Sequence, residues 1–364
     1  MKVALLDSTI REGEQSPNVS FSVEQKIEIV KALDDFGVEF IELGHPAVSP
    51  DIREAIAKIS VLETRAKKII HCRAMRSDID LAISLNIPWI GIFFGTSDLS
   101  LKHKFGIDRQ SALVRIADAI TYAKDLGTNI RFTAEDACRT DISFLIEVGR
   151  LAETSGADRF SIADTVGVLT PDKTNDLIKT MKNEISIPIH FHGHNDLGMA
   201  TANTIAAATA GAEVVDVSIN GIGERCGIAS LAEVAVILKT QFNIDNDWDL
   251  SALIPISRMI ERWSGISNRL NQPIIGANAF THKSGLHTRA VLKDPRSYEV
   301  IPPEIVNQER KIIIDKFTGK EVVADRLAEL NIPPTERVVD SITRQIKSRP
   351  KAEPITDMEL LNLI

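Results

Sequence analysis

Residues 190–196 read His190-Phe191-His192-Gly193-His194-Asn195-Asp196, so three of the chain's eight histidines alternate within five positions. On an extended strand alternate side chains share one face. Imidazoles two residues apart can hold one metal ion, and histidine is the commonest side-chain metal ligand near neutral pH. An ion that keeps positions open for a substrate also calls for a carboxylate. The amino terminus offers one, because the apolar run Val3-Ala4-Leu5-Leu6 leads straight into Asp7-Ser8-Thr9-Ile10-Arg11-Glu12-Gly13-Glu14-Gln15. The amino-terminal segment alone reads equally as a polar loop, whereas the histidine cluster favours a metal site over ordinary core and surface histidines. Together they predict two strand ends, far apart in sequence, meeting around one ion.

The rest of the chain must supply the frame that brings them together. With 364 residues, 44% hydrophobic and 25% charged, it can bury one large core and a smaller carboxy-terminal unit. A net charge of −8 without any basic run argues against nucleic acid as partner and points to a small-molecule ligand. The amino terminus enters a strand by residue 3, which predicts no signal peptide, and no apolar stretch reaches the roughly 18 residues of a membrane span. Cys72, Cys138 and Cys226 are an odd, widely spaced set without a CxxC pair, the pattern of reduced thiols in a cytoplasmic protein. Cys138 and Cys226 are expected to be small buried thiols.

From residue 1 to about 241 short β-branched runs alternate with longer amphipathic stretches. The pattern predicts strands at 3–6, 39–43, 68–72, 89–94, 129–133, 159–163, 188–192 and 214–218. Helices are predicted near 22–36, 52–62, 77–85, 110–126, 141–154, 172–184, 198–210 and 229–241. Eight of each, with no strand–GxGxxG–helix unit, favours a closed α/β (β/α)8 barrel, a TIM barrel, over an open doubly wound sheet. The expected organisation is a barrel at 1–241 and, at 242–364, a linker and helical subdomain. In such a barrel functional groups gather at the carboxyl ends of the strands. Polar residues fall there repeatedly: Asp7, Arg11 and Glu12 after strand one, His71 on strand three, and Arg131, Thr133, Glu135 and Asp136 on strand five. Strand six ends at Asp164-Thr165, strand seven at His192 and His194, and strand eight at Asn220. His190, two residues deeper, is assigned to the barrel interior as a structural residue.

Four spaced motifs carry a family resemblance. Asp7 to Gln15, His192-Gly193-His194-Asn195-Asp196, Gly221-Ile222-Gly223-Glu224-Arg225 and Thr281-His282-Lys283-Ser284-Gly285-Leu286-His287 together resemble the 2-isopropylmalate and homocitrate synthases. The segment 296–319, with Tyr298-Glu299, Pro302-Pro303 and Lys316-Phe317-Thr318-Gly319, is similar to the helical subdomain that follows the barrel in those enzymes. The resemblance implies a Claisen-type condensation in which acetyl-CoA, as co-substrate, is enolised, attacks the keto carbon of a 2-oxo acid, and is then hydrolysed from its thioester. It implies Glu12, His192 and His194 as ligands of a divalent ion (Mg²⁺, Mn²⁺ or Zn²⁺), with Arg11 beside the developing oxyanion. It further implies His287 as the base, acting in a neighbouring subunit's barrel with Glu135, and hence a homodimer with subdomain exchange. Homocitrate synthases carry a tyrosine five residues beyond that histidine, where this chain has Leu292; Tyr298 is the candidate for the missing hydroxyl.

Substrate choice turns on strand five. His71, Arg131 and Thr133 match the positions that homocitrate synthases use for the distal carboxylate of 2-oxoglutarate, and Thr165 joins them as a substrate-binding candidate. An arginine beside a histidine in an acidic chain's pocket suits a dicarboxylate, although Arg131 also reads as a rim salt-bridge partner. The favoured expectation is therefore a homocitrate synthase type of activity, in lysine or related 2-oxo acid biosynthesis. Residues 320–364 are too few for the leucine-binding domain that isopropylmalate synthases often append. The alternatives are 2-oxoisovalerate, pyruvate or oxaloacetate as the oxo acid; a lyase of the hydroxymethylglutaryl-CoA type, with Cys226 near the loop that carries its cysteine; a non-haem iron oxygenase; and a non-catalytic barrel.

Overall fold

The computed structural model describes residues 2–364. They form two compact units, one up to Ser267 and the other from Asn268 to Ile364.

In the first unit eight parallel strands close into a barrel in sequence order: β1 (Ala4–Asp7), β2 (Phe40–Glu42), β3 (Lys67–Arg73), β4 (Trp89–Gly95), β5 (Asn129–Glu135), β6 (Arg159–Asp164), β7 (Ile189–Gly193) and β8 (Val214–Val217). The last strand pairs back onto the first, with Ala4 opposite Val214 and Asp7 opposite Val217. This is the expected TIM barrel. Strands covered on both faces need apolar side chains at nearly every position, which is why they read as continuous Val/Ile/Leu/Phe runs. The principal intervening helices are Val23–Phe36, Pro50–Ser60, Arg76–Ser84, Arg109–Asp125, Ile142–Thr154, Pro171–Glu184, Ala200–Ala210 and Leu231–Phe242. Their starts are written locally. Ser22 and Gln25 form a capping box, Asp108 and Asp141 accept from the first-turn amides, and Pro50 and Pro171 occupy first-turn positions where no amide is needed.

The barrel interior is layered. Leu6, Phe40, Ile69 and Val214, with Ala4 and Trp89 against them, plug the amino-terminal end of the strands. Two residues further along, the inward positions turn polar: Glu42, His71, Arg131, Ser161, His192 and Asp216. The period of two that places side chains on alternate faces thus separates a stabilising floor from a chemical layer above it.

The described residues also hold elements outside the predicted set. After β4 the chain makes a helical turn, Asp98–Ser100, capped by Ser97 and continued by a wide turn over Leu101–Phe105 that ends at Gly106. It is too short to show a helical period. The first unit also continues past the eighth helix into Leu253–Ser264, whose Leu253, Ile254, Ile256 and Ile260 are buried. No helix among the described residues is long and apolar enough to cross a membrane.

The second unit holds a short parallel pair, Thr281–His282 with Lys311–Ile312, and helices Gly285–Lys293, Lys320–Glu329, Glu336–Lys347 and Asp357–Leu361. Its core is Ile314, Val322, Val323, Leu327, Val339, Ile342, Ile346, Ile355 and Leu360.

Candidate active site

Glu12 sits where the chain turns sharply after β1: the backbone N–H groups of Arg11 and Glu12 both donate to the Ser8 carbonyl. One Glu12 oxygen accepts from the Glu224 N–H at 2.9 Å and the other from Arg11. The loop after β8 lies so close that a Cβ on Gly223 would stand 3.0 Å from Glu12 Cγ, so this glycine is required by close approach. Strand β7 aims His192 and His194 at the same spot. Their Nε2 atoms are 3.3 Å apart, and each is 3.9 Å from a Glu12 oxygen. Glu12, His192 and His194 are all buried, and one ligand atom from each lies within 4.8 Å of the others. Burial pushes the Glu12 carboxyl up, but Arg11, His192, His194 and the Glu224 amide outweigh it and hold it at about 2. A permanently ionised carboxylate facing two converging imidazole nitrogens is a donor set that fits a divalent metal ion.

Beneath the triad lies a buried charge network that sequence reading missed. Glu42, at the end of β2 and fully buried, accepts from Arg11 Nε at 2.6 Å, from Ser8 Oγ at 2.7 Å and from Arg131, with His71 Nδ1 at 3.2 Å. Desolvation opposes its charge, yet Arg11, Arg131 and His71 hold its carboxyl well below the usual range. His71 stacks flat on Phe93, with ring centroids 4.4 Å apart, and burial lowers its pKa to about 4 despite Glu42, so it is neutral at pH 7.

Arg131 is 1% exposed. One terminal nitrogen meets Glu42, whereas Nε and the other terminal nitrogen make no hydrogen bond among the described residues. The hydroxyls of Thr133 and Ser161, which line the same cavity, are likewise without a partner. Gly91 on the neighbouring strand leaves room for the guanidinium: a Cβ there would lie 2.7 Å from it. At the rim Lys104, from the turn after β4, donates to both oxygens of Glu135 at 2.7 and 2.8 Å. Thr165 Oγ1 accepts from the Asp136 N–H at 2.9 Å.

Of the barrel candidates, Arg11, Glu12, His71, Arg131, Thr133, Glu135, Thr165, His192 and His194 line a single cavity of about 410 Å³, whereas Asp7, Asp136, Asp164 and Asn220 do not line it. Glu42, Asp216, Ser161 and Lys104 were not foreseen; the available signal was a polar residue at an inward position or in a strand-end loop. His190 is fully buried in the interior, as assigned. Cys138 is only partly buried and Cys226 is exposed, contrary to expectation. The loop carrying Cys226 turns through Arg225 and Gly227, both at positive φ, and closes on itself from the Gly227 N–H to the Glu224 carbonyl, which leaves no cover for the thiol. On the second unit, His287 is exposed and stacks with Tyr298 at a centroid distance of 4.0 Å; Leu292 is on the same helix as His287. Glu299, next to Tyr298, is fixed by Arg310 at 2.6 Å and His282 at 3.0 Å.

Residues 2–260 match the HMGL-like family model, and residues 274–353 match the model described as homocitrate synthase post-HMGL domain-like. The whole chain is 46% identical to a homocitrate synthase of Sulfolobus acidocaldarius, covering 78% of that protein. It is 44% identical to one of Sulfurisphaera tokodaii, covering 80% of it. Among solved structures, the hydroxymethylglutaryl-CoA lyase of Pseudomonas aeruginosa superposes with a TM-score of 0.65 at 22% identity, over 73% of this chain and 94% of that one. The Bacillus subtilis HMG-CoA lyase gives 0.64 at 21%, over 72% and 94%. At these identities the two lyases share the fold alone.

Proposed function

The chain belongs to the homocitrate synthase family, and from that premise we propose that the barrel cavity is the site where it joins acetyl-CoA to 2-oxoglutarate, releasing homocitrate and CoA. The protein is an acetyl-CoA-dependent condensing acyltransferase. The observation that carries the substrate reading is Arg131: a buried guanidinium whose Nε and one terminal nitrogen make no hydrogen bond among the described residues, in the same cavity as the triad. Unpaired buried donors are costly and are met when a ligand supplies the acceptor.

Glu12, His192 and His194 would hold a divalent ion, which supplies a Lewis acid for the carboxylate and keto oxygens of the oxo acid. The chain's own groups do the rest. Arg131 receives the distal carboxylate through its free N–H groups, with Thr133 and Ser161 as further donors and His71 beside them. Neutral His71 adds no second charge. Arg11, held by Glu12 and Glu42, presents positive charge where the keto oxygen becomes an alkoxide. Thr165 lines the remaining wall.

The methyl proton of acetyl-CoA must pass to a base before the new carbon–carbon bond forms. We assign that role to His287, with Tyr298 as the hydroxyl beside it and Glu135 at the barrel rim as the partner carboxylate. Exposure of His287 and its stacking on Tyr298 support their acting as a pair on another surface, and the proposed assembly is a homodimer in which each copy's second unit serves the other's barrel. Water then cleaves the thioester and CoA leaves as the thiol. Thiol release from acetyl-CoA across a panel of 2-oxo acids tests the assignment. 2-Oxoglutarate should give the highest kcat/KM; preference for 2-oxoisovalerate, pyruvate or oxaloacetate would overturn it.

A further inference from the structure

Asp216 stands at the inward position of β8 that neighbours His192 on β7; the registered pairs His190–Val214 and Phe191–Val215 lead directly to it. It is 2% exposed, and its Oδ2 lies 3.1 Å from His192 Nδ1. The next basic group, an Arg131 terminal nitrogen, is 3.9 Å from the same oxygen, and His190 Nδ1 is 3.9 Å from the other. An ionised carboxylate only accepts. With a carboxylate oxygen as its acceptor, His192 Nδ1 donates, and in the neutral imidazole the lone pair then stays on Nε2, the atom that faces Glu12 and His194. His194 has no such support: its Nδ1 is buried without a partner among the described residues.

We propose that Asp216 is the positioning residue of the triad, fixing the tautomer and ring orientation of His192 so that its Nε2 is pre-set as a metal ligand. The imidazole is held on a buried carboxylate from the adjacent strand, so the ligand atom is in place before any ion arrives. Carboxylates that hold a ligating histidine in this way typically contribute ten- to a hundredfold to metal affinity. The two histidines are consequently unequal, with His192 preorganised by a side chain and His194 oriented by its backbone and packing.

This inference rests on the triad holding the ion, and the test separates the two. Mn²⁺ affinity is measured on the purified enzyme by competition with a chromophoric chelator, for wild type, His192→Ala, Asp216→Ala and Asp216→Asn. Asp216→Ala should weaken Mn²⁺ binding by about ten- to a hundredfold, and Asp216→Asn, whose carbonyl oxygen still accepts from Nδ1, should lose less. If His192→Ala leaves affinity unchanged, the metal site itself is wrong. If His192→Ala abolishes binding while Asp216→Ala binds Mn²⁺ as wild type does, only the role of Asp216 falls. Were Asp216 merely a support for Arg131, its loss would raise KM for the oxo acid and leave Mn²⁺ affinity alone. Should Asp216→Ala fail to fold, ¹⁵N spectra of histidine-labelled, metal-free wild type decide: Nδ1–H on His192 is expected, and Nε2–H would overturn the proposal.

Discussion

Replacing Arg131 by alanine should change which oxo acid is turned over more than it changes turnover as such. The guanidinium is buried, with Nε and one terminal nitrogen free to donate. A hydrogen bond from a charged donor to a desolvated carboxylate contributes roughly 1.5–3 kcal/mol, and about 1.4 kcal/mol is a factor of ten. The kcat/KM for 2-oxoglutarate should thus fall by about ten- to a hundredfold. The same substitution also strips Glu42 of one of its two guanidinium partners. That structural cost is common to all substrates, so the informative quantity is the ratio of kcat/KM for 2-oxoglutarate to that for 2-oxoisovalerate, which has no distal charge. Arg131→Lys keeps the charge but loses the paired donors and should fall between wild type and Arg131→Ala. Gly91→Ala, whose new Cβ would stand 2.7 Å from the guanidinium, should lower the same ratio with every charge intact. Steady-state thiol-release assays on both oxo acids measure it. Equal losses for the two substrates would refute the reasoning and reduce Arg131 to a strut for Glu42.

Removal of the ion by exhaustive chelation should abolish activity, with Mn²⁺ or Mg²⁺ restoring it, and Glu12→Gln should lower kcat by on the order of a hundredfold or more while the protein remains folded by circular dichroism. Mixing inactive His287→Ala with inactive His192→Ala subunits should restore partial activity after exchange, because one site of a mixed dimer then holds both native groups; no recovery after exchange, checked by mass spectrometry, would place His287 in its own chain's reaction or outside the chemistry. Glu42→Gln should destabilise the protein by about 3–5 kcal/mol at pH 7, measured by denaturant midpoint, because it removes the buried negative charge that two guanidinium groups face and turns one of their two acceptor oxygens into a donor. As the folded-state carboxyl lies well below its ordinary value of 4.5, this contribution is present above pH 4.5 and is lost as pH falls through the folded-state value, so wild type and variant should converge in acid.

The strands and helices of the barrel were legible because each rule that writes them is local: an apolar run for a strand covered on both faces, a cap such as Ser22 with Gln25 for a helix start. The triad was legible because His192 and His194 sit two apart, and Glu12 lies in the turn that follows the first strand of the same barrel. Glu42 was not, since its meaning lies in partners 31, 34 and 89 positions away and nothing beside it in Phe40-Ile41-Glu42 shows them. Asp216 was hidden for the same reason: Val214-Val215-Asp216-Val217 reads as a strand, and only the β7–β8 register sets its carboxylate against His192. The turn at 98–105 was missed because eight residues cannot establish a period, although it delivers Lys104 to Glu135.

The apolar floor of Leu6, Phe40, Ile69 and Val214 makes the barrel a blind well. Reactants and products share one mouth, and Arg131 lies deep in it whereas Glu135 is at the rim. An oxo acid that must reach Arg131 cannot pass an acyl thioester already seated above it. With Arg131 as the seat of the distal carboxylate, the shape should impose an order: the oxo acid first and the thioester second, with CoA departing before the tricarboxylate. Steady-state kinetics should then be sequential and ordered, with excess acetyl-CoA competing with the oxo acid by stoppering the empty well.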